Sequence, residues 1–265
     1  MVREFENSNY WAVILGGSSG LGFASALKLA QRGMNICIVH RNSRIELETI
    51  DANFDLIKAE NIEFLSFNVD AIKQESRNTI ISDLNEKLGK RGKIRCLLHS
   101  IAKGNLKAMI DEDDNILESD DFQITLQNMA ISLYDWVKDV YKAKLFAADS
   151  RIISFTSEGS SKAWKHYAAV SASKAALEAI TRSIALEYAP YGLRANCIQA
   201  GITNTASLKR IPGSDQLIEY SIKRNPFQRL TTPEDVANMV YLMCKDEAAW
   251  INGAVIPVDG GEHIS

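Results

Sequence analysis

No apolar run in this 265-residue chain is long enough to cross a bilayer, and its opening, MVREFENSNY, lacks the apolar core of a signal peptide. Membrane insertion and secretion are therefore not expected, and a cytoplasmic location is. An excess of one charge is lacking as well: 30 Lys and Arg stand interspersed with 33 Asp and Glu, for a net charge of -3. No basic field calls for nucleic acid or an anionic membrane. The four cysteines (Cys37, Cys96, Cys197, Cys244) lie in apolar stretches without CxxC spacing, and His40, His99, His166 and His263 lack ligand spacing. Buried free thiols are expected, whereas a disulfide framework and a protein metal site are not. Repeats, low-complexity tracts and linkers are also missing.

What the chain does contain is a regular alternation. Apolar content of 46% and charged content of 24% are globular values, and the length suits one unit spanning residues 1–265. Short β-rich runs read as strands: WAVILGG (11–17), NICIVH (35–40), IEFLSFNV (62–69), IRCLLHSIA (94–102), RIISFTS (151–157), LRANCIQAG (193–201) and AVIPVDGG (254–261). Helical spacing separates them, as in Leu21, Ala24, Leu27 and Ala30 before Gly33, in 44–59 and in 72–88. Strands alternating with helices and apolar on both faces predict an α/β fold, a doubly wound parallel sheet of about seven strands of the Rossmann type. The acidic stretch DEDDNILESDD (111–121) is the main irregular segment, expected as a solvated loop and helix start.

The turn GGSSGLG (16–22) follows the first strand and opens the first helix. Glycines there let the backbone approach a pyrophosphate, while the helix N-terminus offers N–H donors and a favourable dipole. Gly16, Ser18, Ser19, Gly20, Leu21 and Gly22 are thus candidate dinucleotide-binding residues, with GxxxGxG spacing. A carboxylate at the end of the second strand would repel a 2'-phosphate, but the chain has His40-Arg41-Asn42-Ser43-Arg44. Guanidinium groups suit a phosphate, so Arg41 favours NADPH, with NADH possible. The competing explanation is that Arg41 and Arg44 are ordinary solvated helix-start residues.

Over essentially its whole length the chain resembles a short-chain dehydrogenase/reductase. The likeness rests on GGSSGLG, FNVD (67–70), HSIAKG (99–104), SFTS (154–157), YAAVSASKAALEAITRSIALEY (167–188), LRANCIQAGITNT (193–205) and INGAVIPVDGG (251–261). Within that superfamily it is similar to the enoyl-[acyl-carrier-protein] reductases of the NADPH-using Bacillus type. Those have Tyr-x6-Lys, matched by Tyr167 and Lys174, an HSIA stretch, matched at 99–102, and AG in place of PG, matched by Ala200-Gly201. The resemblance implies Tyr167, Lys174 and Ser157 as catalytic residues, and Lys174 also as a ligand of the nicotinamide ribose. It implies adenine contacts at Asn68 and Val69, a nicotinamide wall at Ser100, Ile101 and Ala102, and carboxamide contacts at Gly201, Ile202, Thr203 and Thr205. It further implies a substrate-covering loop and helix at about 203–226, an acyl-carrier-protein or CoA thioester as partner, and a homotetramer packed through the helix carrying Ala175, Ala179 and Ser183. The Asn that ordinary members carry after the fourth strand has no secure counterpart here, Asn128 and Ser132 being the neighbours.

The spacing of Tyr and Lys has a chemical reason. Ordinary members place the Tyr four residues before the Lys, where this chain has Val170. A ketone carries its oxygen on the carbon that accepts hydride. An enoyl thioester accepts hydride at C3 and develops charge on an oxygen three bonds away, so the proton donor must stand further back. A donor aimed at that oxygen stabilises the transition state more than the ground state. Reduction of the C2–C3 double bond is the expected activity. A carbonyl reductase using Ser157 and Tyr167 is the alternative within the fold, and a dinucleotide-binding regulator without turnover is the alternative outside enzymology.

Overall fold

The computed structural model describes residues 2–112 and 115–265, so Asp113 and Asp114 of the acidic stretch lie outside the described residues. The strands are β1 (Tyr10–Leu15), β2 (Asn35–His40), β3 (Phe64–Asn68), β4 (Lys93–His99), β5 (Phe146–Thr156), β6 (Leu193–Ala200) and β7 (Val255–Val258). They form one 7-stranded sheet in the order β3-β2-β1-β4-β5-β6-β7, with every neighbouring pair parallel. The expected doubly wound α/β architecture is therefore the observed one.

Helices α1 (Gly20–Gln31), α2 (Leu47–Lys58), α3 (Gln74–Leu88), α4 (Ser119–Leu126), α5 (Ser132–Lys142), α6 (Ala168–Glu187), α7 (Ser214–Arg224) and α8 (Pro233–Cys244) follow the strands. Successive strand residues point to opposite faces, which divides the apolar interior in two. Trp11, Val13 and Leu15 of β1 join a core with Leu84 of α3, Trp136 and Val140 of α5, and Leu177 and Ile184 of α6. Ala12 and Ile14 join the other core, with Leu29 of α1, Phe54 of α2 and Val240 of α8. Each fully buried Leu, Ile or Val side chain stabilises by about 1.5–3 kcal/mol, and this explains why the central strands are apolar without alternation.

Boundaries follow local chemistry. Gly33 ends the first βα unit at φ +88, and a Cβ there would lie 2.7 Å from the backbone of Glu6. Helix α8 starts at a capping box formed by Thr232 and Asp235, with Pro233 in its first turn. Its last carbonyls are met by two buried arginines from the sheet: Arg151 Nε donates to Met243 O at 2.8 Å and Arg95 Nη2 to Cys244 O at 2.9 Å. All four cysteines are buried free thiols.

The sheet order reverses between β1 and β4. Loops leaving the C-terminal ends of β1 and β4 therefore diverge to opposite faces and leave a crevice between them. The expected site residues stand along that one edge, because each follows the end of a parallel strand: Gly16, Arg41, Val69, Ser100, Ser157 and Gly201.

Candidate active site

The glycine turn forms a close-fitted cradle at the crevice. Gly16 N donates to Val39 O at 2.8 Å and Ser100 N to Leu15 O at 2.8 Å, which ties the β1 turn to its neighbours on both sides. A Cβ on Gly16 would lie 2.5 Å from Ser100 O, and one on Gly22 would lie 2.3 Å from Gly16 O. Only glycine fits either place, so the backbone stays bare where a phosphate would approach. Ser18 is buried, and its carbonyl accepts from Asn53 Nδ2 at 3.2 Å. Ser19 precedes α1 in extended conformation without capping the helix through its side chain, which leaves the first-turn N–H groups available to an anion. Leu21 packs partly against the core, and Thr205 reaches the other side of the turn, where its Cγ2 is 3.6 Å from the Cβ position of Gly20. These features fit a dinucleotide pyrophosphate.

At the far end, Arg41 is half-exposed, and its Nη1 donates to Asp70 Oδ2 at 2.6 Å. Asn68 Oδ1 accepts from Asn42 N at 2.9 Å, and Val69 N donates to His40 O at 2.8 Å. Arg41, Asn68 and Val69 are thus brought to one corner. The guanidinium arrives tethered by a carboxylate supplied from FNVD.

Tyr167 stands just before α6 and Lys174 two turns into it, both buried. Lys174 Nζ donates to Phe155 O at 2.6 Å. Burial pulls the ammonium down to about 8, while Cys197 and Glu178 work against the fall. Burial pushes the Tyr167 phenol up, and the neighbouring Ser157 hydroxyl opposes that rise. The two meet over Gly159, where a Cβ would lie 2.6 Å from Tyr167 Cε1 and 3.3 Å from Ser157 Oγ. The Tyr167 ring is held by Trp164, with centroids 5.2 Å apart, and packs in a small cluster with Met129 and Val170. Val170 itself is buried beneath Gly104, whose Cβ position is 2.6 Å from Val170 Cγ2. The place four residues before Lys174 is therefore filled core, and the phenol of this site is Tyr167.

Helices α4 and α5 are joined by a π-turn, Gln127–Ile131, an irregularity that marks functional sites in many helices. Asn128 turns its side chain back on the helix, Nδ2 donating to Ile124 O at 2.7 Å. Ser132 Oγ donates to Asn128 O at 2.7 Å and so accepts from His99 Nε2–H at 2.8 Å. His99 is fully buried, and burial together with the nearby Lys174 charge lowers it to about 3, so it is neutral near pH 7. Neither Asn128 nor Ser132 hydrogen-bonds Tyr167 or Lys174; the link between them and the phenol is Met129, packed against its ring.

On the β6 side, Thr203 Oγ1 donates to Gly201 O at 2.9 Å, and Ile202 N to Glu262 Oε2 at 3.3 Å. Gly201 is wedged against Thr231 and Asp259, its Cβ position 2.3 Å from Thr231 Oγ1. Ile101 packs at the edge of the core, whereas Ala102 is exposed. From the 203–226 segment, Ile211 lies against the Tyr167 cluster.

A family model described as enoyl-(acyl carrier protein) reductase matches residues 16–263, which takes in the cradle, the Tyr167–Lys174 pair and the β6 loop. The chain belongs to this family of short-chain dehydrogenases/reductases. It is an oxidoreductase by that membership. Similar proteins include both reductases and dehydrogenases. The enoyl-[acyl-carrier-protein] reductase [NADH] of Aquifex aeolicus is 31% identical over 176 residues, covering 65% of this chain and 63% of that protein. Its crystal structure superposes with a TM-score of 0.84 at 24% identity, covering 98% of each chain, which is a likeness of fold. The 1-cyclohexenylcarbonyl-CoA reductase of Streptomyces collinus is 26% identical over 96% of this chain and 86% of its own length. A 7alpha-hydroxysteroid dehydrogenase of Paraclostridium sordellii is 27% identical over 97% and 92%.

For a member of this reductase family, several residues at the site were not singled out by sequence. Gly159 could have been, as a glycine two positions after Ser157. Met129 and Trp164 are apolar residues with no distinguishing pattern. Glu158 and Glu262, which converge on Arg224, are too far apart in the chain to be associated with it before folding.

Proposed function

We propose that the protein is an NADPH-dependent enoyl-thioester reductase, an enoyl-[acyl-carrier-protein] reductase of cytoplasmic fatty-acid synthesis acting as a homotetramer. The observation that carries the reading is the relocated phenol: Tyr167 faces Ser157 over Gly159, and Val170 is buried beneath Gly104. The cradle of Gly16, Ser18, Ser19, Gly20, Leu21 and Gly22 would hold the pyrophosphate. Asn68 and Val69 would flank the adenine, and Arg41 would meet the 2'-phosphate. Ser100, Ile101 and Ala102 would border the nicotinamide ribose, with Gly201, Ile202, Thr203 and Thr205 on the carboxamide side.

The dinucleotide supplies a hydride for C3 of the substrate. Tyr167 would donate a hydrogen bond to the thioester carbonyl oxygen as negative charge develops there, and the resulting enolate would take the balancing proton at C2 from solvent. Lys174 binds a ribose hydroxyl, and its positive charge favours proton donation by the phenol. Ser157 offers a second donor at the same oxygen. Residues 203–226 cover the acyl chain, with Ile211 closing over the Tyr167 ring.

Ser157 facing Tyr167 also suits a carbonyl reductase, the second reading. Oxidation of NADPH and of NADH should be followed with matched crotonyl and acetoacetyl thioesters, each carried on CoA and on acyl-carrier protein. Crotonyl thioesters should be reduced at least roughly tenfold faster, with NADPH preferred. Reduction of acetoacetyl thioesters with crotonyl thioesters untouched would install the carbonyl reductase instead.

A further inference from the structure

Ser157 Oγ, a neighbour of the Tyr167 phenol, and Arg224 Nε are two of the buried polar atoms without a hydrogen bond of full geometry among the described residues. Both residues line one cavity of about 20 Å³, together with Glu158, Gln199, Ile202 and Glu262. That volume admits a single water, and a water needs two to four polar partners. The walls provide them.

Arg224 is otherwise fully committed. It ends α7, and its Nη2 donates to Glu158 Oε2 at 2.7 Å and to Glu262 Oε1 at 3.0 Å. Its guanidinium also lies 5.5 Å from the Tyr220 ring centroid. Burial pushes the Glu158 carboxyl up, but Arg224 and Lys162 outweigh it and hold the group below its ordinary range. Glu262 is almost fully buried, and its other oxygen accepts from Ile202 N. The guanidinium is thereby held on two carboxylates through Nη2, its Nε–H is left without one, and the residue borders the cavity.

We propose that Arg224 is a positioning residue which, through one buried water, orients the Ser157 hydroxyl toward the oxygen of the bound thioester. The water accepts from Arg224 Nε–H and donates one proton to Ser157 Oγ and the other to a wall oxygen. Ser157 then has its lone pair engaged behind it and its own O–H free to point into the pocket. A hydroxyl that accepts such a bond is also a stronger donor, since chained hydrogen bonds polarise one another. Because Arg224 belongs to the covering segment, seating α7 and aiming Ser157 become one event. The inference rests on the reading of Ser157 as a group facing the reacting thioester.

The test is a double-mutant cycle with Arg224→Lys and Ser157→Ala, assayed on whichever of crotonyl- or acetoacetyl-CoA the wild type reduces. Lysine keeps the cation for Glu158 and Glu262 but has no Nε–H. Arg224→Lys should lower kcat roughly tenfold, the loss of one oriented hydrogen bond, with KM for the nucleotide unchanged. Added to Ser157→Ala, it should cost nothing further. Multiplying losses in the double variant, or wild-type kcat in Arg224→Lys, would overturn the proposal. A crystal structure of the unaltered protein at a resolution showing ordered water decides it independently of either variant. One water within hydrogen-bond distance of Arg224 Nε and Ser157 Oγ supports it, and a dry cavity overturns it. Substrate preference plays no part in these outcomes, so a ketone-specific enzyme would sink the proposed reaction while leaving this result to stand by itself.

Discussion

Tyr167, just ahead of α6, and Lys174, two turns into it, are assigned different work in the proposed reaction, and substitution should separate them. In the proposed reaction the phenol meets only the substrate oxygen, so Tyr167→Phe should lower kcat roughly a hundredfold while nucleotide binding stays within about twofold. Lys174 is assigned to both ribose and phenol in that proposal, so Lys174→Ala should impair binding and turnover together. Stopped-flow titration of cofactor fluorescence beside steady-state kcat measures the two effects separately. Equal loss of cofactor affinity in both variants would mean that Tyr167 is a cofactor contact and not the proton donor. Val170 belongs to the same argument. Sequence leaves open whether a Tyr there would restore ketone chemistry; Val170 is buried against Met129 and the Tyr167 ring, so a phenol at 170 would overpack that cluster unless its neighbours shift.

Among the elements, the α4–α5 junction stands out, because a π-turn is kept in register by the buried chain His99, Ser132 and Asn128 O. Its effect on stability has a definite sign. Folded His99 titrates at about 3, against an ordinary value of 6.5. Between those values the unfolded chain binds a proton that the folded chain refuses. The stabilisation from neutral His99 is complete above pH 6.5 and is lost as pH falls toward 3. Urea unfolding midpoints of the wild type should therefore drop between pH 6.5 and 4.5 more steeply than those of His99→Gln, whatever that variant's stability at pH 8. Parallel slopes would remove His99 from the acid response.

At the scale of the whole molecule, the folded chain leaves apolar and small-residue surface uncovered. Ala175, Ala179 and Ser183 lie exposed along α6, with Leu186 78% exposed at its end. Ile124, Ile131 and Tyr134 are exposed on α4, the π-turn and α5. At the other side β7 is an edge strand carrying exposed Val255, near a fully exposed Trp250. Two separate faces of this kind suit the two different two-fold contacts that the proposed homotetramer would need. Light scattering at micromolar concentration should give four times the mass of 29.4 kDa. Ala179→Glu combined with Leu186→Glu should yield a smaller species with unchanged far-ultraviolet circular dichroism. A monomeric wild type would count against both faces.

Sequence alone determined the architecture, because its signals are local. Strand runs such as NICIVH, helical spacing and the glycine turn each act within about one supersecondary unit, and the parallel sheet follows from their alternation. It also marked Tyr167, Lys174 and Ser157 as candidates, through the resemblance that YAAVSASK and SFTS carry to a known family. Tertiary structure alone decided what surrounds them. Gly159 beneath the phenol, Met129 carried in by the π-turn, the Asp70 tether of Arg41, and the Glu158–Arg224–Glu262 cluster join residues from different strand ends and the covering segment. Such contacts arise only when the strands come into register and their loops meet along one edge of the sheet. No spacing in the chain encodes them one at a time.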